Sequence, residues 1–239
     1  MKINIHKNEE RGSHDYGWLK SKHCFSFGDY FNPVREDFGV VRVLNDEIIE
    51  PDSYFSPHHQ KNLEVILLPL RGSLAYRSEN GFKATVGIDE VLAVSTGSGI
   101  DHSFGNPSLD EKLELIQIWI YSRIKGIEPR IQMLLFPTAE RNNKLQIIAE
   151  PNYISDVLWI NQEVRISRIN LSPDSALIYK VNDPANQLLI FILNGNVRFS
   201  NLETEIKSRD TIEVTEIRED IRIIAAQPSD LLIIESIPD

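Results

Sequence analysis

The chain has a single cysteine, Cys24, among 239 residues, which excludes an intramolecular disulfide and a zinc site built on several thiolates. It also lacks any surplus of positive charge. Its 25 Lys and Arg residues stand against 35 Asp and Glu, a net charge of −10, so a nucleic-acid groove is not expected. No apolar run approaches the ~20 residues that a membrane helix needs. The opening stretch "MKINIHKNEERG" is polar and charged, unlike the apolar centre of a secretory leader. A cytoplasmic protein that does not enter a membrane is the expectation. Histidine is scarce too: there are six, and none follows His102. The chain from about Leu145 onward therefore cannot supply an imidazole-based metal centre, and its expected role is structural.

What the chain does have is short β-branched runs, among them "FGVVRVL", "LEVILLPL", "LELIQIWI", "QLLIFIL" and "DLLIIESI". Turn signals such as "RSENG", "LNGN" and "QPSD" separate them. Thr211 to Ile217 alternates apolar and polar residues with a period of two, the pattern of a half-buried strand. Close-spaced strands of this kind point to an all-β sandwich or barrel. Helix is expected in one place only, Ile127 to Arg141, where Pro129 suits an early helical position and Pro137 would end the helix.

That segment sits near the middle, between halves that resemble one another. "VILLPLRGSLAY" and then "GIDEVLAVS" in the first half correspond to "LLIFILNGNVRF" and then "SRDTIEVTE" in the second. Gly72 thereby pairs with Gly195, and Asp89 with Asp210, as expected of a duplicated strand–Gly–strand–Asp–strand unit. The expected fold is all-β: a bicupin of two antiparallel jelly-roll barrels, residues 1–126 and 145–239, joined by a partly helical linker over 127–144.

The residues able to carry chemistry lie in two segments of the first half. His58-His59-Gln60-Lys61-Asn62-Leu63-Glu64 has the form His-x-Gln-x-x-x-Glu, and Gly99 to Asn106 reads Gly-x-x-His-x-x-x-Asn. Residues i and i+2 of a strand face one side, so His58 and Gln60 would both point into a barrel while His59 faces solvent. These segments resemble the two metal-binding motifs of the cupin superfamily, with Gln60 where a second histidine is usual. The resemblance sharpens at the N-terminus. Arg11, Gly12, Gly17, Trp18, Leu19, Phe25, Ser26, Phe27, Gly28 and Tyr30 reproduce nearly whole the signature of the pirin family of two-domain cupins. The match is strong over the first half and holds in outline over the second.

The resemblance implies a ferrous-type site of three histidines and one glutamate in the N-terminal barrel. Counted from Phe55, the family's strand motif puts its first ligand at His58 and its second at Gln60. The later motif puts its histidine at His102 and its glutamate at Phe104. Two of four ligands are kept, one is an amide, and one is a ring with no donor atom. Glu64 is the remaining carboxylate of the strand motif, a candidate ligand or general base. His6, His14 and His23 lie outside both motifs and are expected to be surface or packing residues. Cys24, between large aromatics, reads as a small buried hydrophobe.

The expectation is a pirin-like protein with an eroded metal site, binding a small molecule in the N-terminal barrel or a protein partner, in a regulatory or stress-related role. No cofactor is expected beyond a weakly held divalent transition metal (Fe, Ni, Cu or Zn), and neither nucleic acid nor membrane is an expected partner. The alternative implied by the family is a metal-dependent enzyme similar to quercetin 2,3-dioxygenases, working from a reduced His58/His102 site.

Overall fold

The computed structural model describes residues 1–152, 154, 156–200 and 204–238. Among them are 23 strands and two 3-10 helices, so the chain is all-β, as its short apolar runs require. Each half is built of one large and one small sheet.

The large sheet of the first half runs in the order Arg130–Leu135, Glu90–Ser95, Leu63–Arg71, Leu113–Tyr121, Val41–Ile49, Leu19–His23, Gly12–Asp15. Opposite it, Ser53–Tyr54, Ile100–Asn106, Leu74–Ser78 and Lys83–Val86 form the small sheet, and His58–Gln60 also pairs with Ile100–Asn106. In the second half the large sheet is Lys2–His6, Thr211–Thr215, Gln187–Asn194, Ser229–Ser236, Val164–Leu171, Gln146–Glu150, Leu158–Trp159. Its small partner is Ala176–Tyr179, Ile221–Ala225, Asn196–Phe199 and Ile206–Lys207.

The two large sheets pack against each other, which explains why their strands are apolar on both faces. In Leu63–Arg71, Val65 and Leu67 join the core of the first barrel. Ile66 and Leu68, pointing the other way, join a cluster that includes Ile118, Phe191, Leu232 and Ile234 from the two large sheets. Cys24, fully buried, lies in that seam with its Sγ 3.3 Å from Thr211 Oγ1 of the second half. The small-hydrophobe reading of Cys24 fits this position.

Two expectations about organisation need correction. Ile127 to Arg141 is not a helix: Arg130–Leu135 is a strand paired with Glu90–Ser95, and only Thr138–Arg141 forms a 3-10 turn. Pro129 and Pro137 leave room for barely two helical turns, whereas alternation lets Ile131 pack on the barrel core and Leu134 on the seam. The boundaries also interlock. Lys2–His6 pairs with Thr211–Thr215 of the second half, and Arg130–Leu135 belongs to the large sheet of the first.

The repeat is visible in the turns. Gly72 and Gly195, at φ +75° and +89°, each join a large-sheet strand to a small-sheet strand. A Cβ at Gly72 would lie 2.8 Å from Lys112 O, and one at Gly195 would lie 2.4 Å from Pro228 O. Both carbonyls belong to the residue immediately before the strand that returns to the large sheet, Leu113–Tyr121 and Ser229–Ser236. Only glycine accommodates that conformation and that approach together.

Candidate functional site

The two histidine segments meet as neighbouring strands. His58–Gln60 pairs antiparallel with Ile100–Asn106, and His58 lies directly across from His102. Their ring centroids are 4.7 Å apart. His59 points outward, as alternation demands, with its Nδ1 2.7 Å from Asp101 Oδ1. Gln60 and His102 are buried, and Gln60 Oε1 stands 2.9 Å from His102 Nε2. On the far side of the ring, the Tyr76 hydroxyl is 3.0 Å from His102 Nδ1. Burial, with His58 beside it, holds the His102 imidazole down to a pKa of about 4, so it is neutral at physiological pH. A neutral ring between these partners donates from Nε2 to the Gln60 oxygen and accepts the Tyr76 hydroxyl at Nδ1. Both nitrogens are thus occupied. His58 donates from Nδ1 to Ser56 O at 2.9 Å, which leaves its Nε2 lone pair open.

Phe104 is fully buried on the same strand face as His102, with its ring centroid 4.6 Å from that of Phe55. It supplies hydrocarbon where the family's motif places a carboxylate. Glu64 cannot replace that carboxylate, and here the candidate base or ligand is corrected. Its side chain alternates with Val65 and Leu67, onto the seam side of the large sheet. There it accepts hydrogen bonds from Ser95 Oγ at 2.5 Å and Ser122 Oγ at 2.6 Å. Burial raises its pKa, against the two hydroxyls and a backbone contact with Asn161 of the second half. The donors at the motif are therefore two imidazoles and one amide, without a carboxylate. Among the described residues no group of three or more His, Cys, Asp or Glu side chains is arranged to hold a metal ion. This donor set does not fit a three-histidine, one-carboxylate centre.

Beyond Phe55 and Phe104 lies a feature that the sequence motifs did not reveal. Ser21 and His23 on one strand and Asn45 and Glu47 on the next are all buried. They occupy inward positions in register with Leu19 and Ile49 of the barrel core. His23 Nδ1 is 2.9 Å from Asn45 Oδ1, and Ser21 Oγ is 3.4 Å from Glu47 Oε1. Burial, opposed by the neighbouring polar side chains of Asn45 and Ser21, raises the Glu47 carboxyl to about 8. Burial lowers the His23 imidazole. His23 is a buried packing residue, as expected, with its ring against Phe27 and a hydrogen bond to Asn45. The signal was available: polar side chains at the core-facing positions of two strands that otherwise alternate. Of the other two, His6 Nε2 stands 3.0 Å from Glu213, and the His14 ring lies 5.4 Å from that of His23.

Two face-to-face barrels, one carrying this site, define a bicupin. Residues 4–120 match the family model Pirin, and residues 147–236 match that of the quercetinase C-terminal cupin domain. The quercetin 2,3-dioxygenase of Escherichia coli K12 is 32% identical over 201 residues, 84% of this chain and 85% of the relative. The crystal structure of YhhW from Escherichia coli has a TM-score of 0.93 at 30% identity, covering 100% of this chain and 99% of that one. A second crystal structure of that bacterial pirin, in complex with nickel(II), matches with the same TM-score and identity over the whole of both chains. The chain belongs to the pirin family.

Proposed function

We propose that this pirin-like bicupin has an eroded metal site, lacks robust dioxygenase activity, and acts in the cytoplasm by binding a small molecule in its N-terminal barrel or a protein partner, in a regulatory, stress-related role. The observation that carries the reading is the pair Gln60 and Phe104. Gln60 closes a Tyr76–His102–Gln60 hydrogen-bond chain that occupies both His102 nitrogens, and Phe104 removes the anionic ligand. A divalent ion here would face uncompensated charge in a mainly apolar interior, which is costly. The dioxygenase reading draws support from the relatives' names, from nickel(II) in YhhW, and from the open Nε2 of His58.

The test restores the missing donors. The double variant Gln60→His, Phe104→Glu is expected to bind Fe(II) or Ni(II) at least ~100-fold more tightly than the parent. A double variant that folds but binds no better than the parent would contradict the reading of the motif.

A further inference from the structure

Glu64 is a buried ionisable group that the histidine site does not use. Its side chain is 1% exposed on the seam side of the first large sheet, and its partners are two hydroxyls, Ser95 Oγ at 2.5 Å and Ser122 Oγ at 2.6 Å. The groups that bear on the carboxyl are Ser122, Ser95 and the Asn161 backbone, all uncharged. Across the sheet it is flanked by Ser95 and Ile120, and along its own strand by Ile66. Charges approach this region from two neighbouring elements. Arg130, opposite Ser95 on the edge strand, places its guanidinium over the Trp159 ring at 5.3 Å, and Arg123 pairs with Glu163 at the surface. A buried carboxylate balanced only by neutral donors is disfavoured, so burial holds the proton on Glu64 above its ordinary value of 4.5.

The chain leaves the first barrel at Ser122, and the residues around it are bound to the second half. Arg123 N donates to Asn161 O at 2.7 Å, and Ile124 N to Asn161 Oδ1 at 3.3 Å. In return Asn161 Nδ2 donates to Ile124 O at 2.6 Å, and Gln162 Nε2 to Tyr121 O at 2.7 Å. The same segment is tied to the histidine strand, for Ser122 N donates to Asn62 O at 3.2 Å and Gly126 N to Asn62 Oδ1 at 2.8 Å. Asn62, at φ +57°, forms the turn between His58–Gln60 and Leu63–Arg71. One carboxyl thus lies under the segment that connects the barrel mouth with the second half. A charge on Glu64 calls for water. Residues 123–126 are exposed, so moving this segment aside admits water without opening the apolar seam.

We propose that Glu64 is a pH-sensitive latch between the two halves: uncharged, it holds Ser122 and the residues after it on Asn161 and Gln162, and on losing its proton it releases them. The latch does not depend on what the barrel binds. Because the fold favours the protonated carboxyl, the contact is complete at and below pH 4.5 and weakens as pH rises through the raised value.

The test follows the Glu64 carboxyl by carbon NMR from acid to alkaline pH, together with amide exchange at Arg123 and Ile124 corrected for its intrinsic pH dependence. The Asn161 side-chain amide signals should move with the Glu64 titration. Protection at Arg123 and Ile124 should fall about tenfold or more across it, while Leu63–Arg71 stays protected. Glu64→Gln, of nearly the same shape and unable to ionise, should show no such fall. Parallel profiles in the parent and Glu64→Gln, or a carboxyl that titrates with no change at Asn161, would overturn the proposal. So would a Glu64 that titrates at its ordinary value, or one that keeps its proton until the whole chain unfolds. The titration of the unaltered protein decides the matter if Glu64→Gln fails to fold.

Discussion

The residues that decide what this barrel can do are those at which an inward position carries an unusual side chain. Phe104 and Gln60 occupy two ligand positions of a familiar motif, and their identities were legible because the spacing around them is intact. Glu64 shows the limit of that reading. Its place in the motif was plain, but one step of strand alternation turns its carboxylate to the seam, against Ser95 and Ser122. Glu47 carries the expectation for pH. Burial raises its pKa from 4.5 to about 8, so between those values the folded chain keeps a proton that the unfolded chain has released. Stability from this group is complete below pH 4.5 and is lost as pH rises through 8, by roughly 5 kcal/mol at most. Glu47→Gln should remove that decline, measured by denaturant unfolding on both sides of neutrality. Parallel pH profiles for the parent and Glu47→Gln would show that the carboxyl is not held neutral by the fold.

At the scale of elements, strands and turns were readable where period and punctuation agreed. The duplicated strand–Gly–strand unit is the clearest case. Gly72 and Gly195 were paired by sequence, and in the fold each takes positive φ against a backbone carbonyl at the equivalent place. Gly195→Ala is therefore expected to cost more than the ~1 kcal/mol of a simple glycine replacement, since strain and a clash combine. Thermal or denaturant unfolding measures this, and a neutral effect would mean that the turn relaxes at no cost. The Ile127 to Arg141 segment was misread because two prolines fit the ends of a helix as well as they bracket a strand. The deciding factor is tertiary: an open edge at Glu90–Ser95 that accepts another strand. Lys2–His6 posed the same difficulty, for no local pattern tells a strand which distant sheet it will join.

For the whole molecule, the seam between the large sheets matters most, and it explains why a half without histidine or cysteine accompanies the site. Ile66, Leu68 and Ile118 of the first half share one buried cluster with Phe191, Leu232 and Ile234 of the second. Lys2–His6 also reaches across to the far sheet. The halves are expected to unfold together, with coincident transitions by far-UV circular dichroism and tryptophan fluorescence. Ile118→Ala should lower stability by about 2–5 kcal/mol without splitting the transition. Two separated transitions in the parent protein would indicate barrels that fold independently.

The measurement that bears most directly on the proposed erosion of the metal site is the metal content of protein grown in metal-replete medium, followed by calorimetric titration of the metal-free chain with Fe(II), Ni(II) and Zn(II). The expected result is substoichiometric metal and no saturable tight site, with the same outcome for His58→Ala and His102→Ala. One metal ion per chain, lost when either histidine is replaced, would contradict it and return the barrel to metal-dependent catalysis.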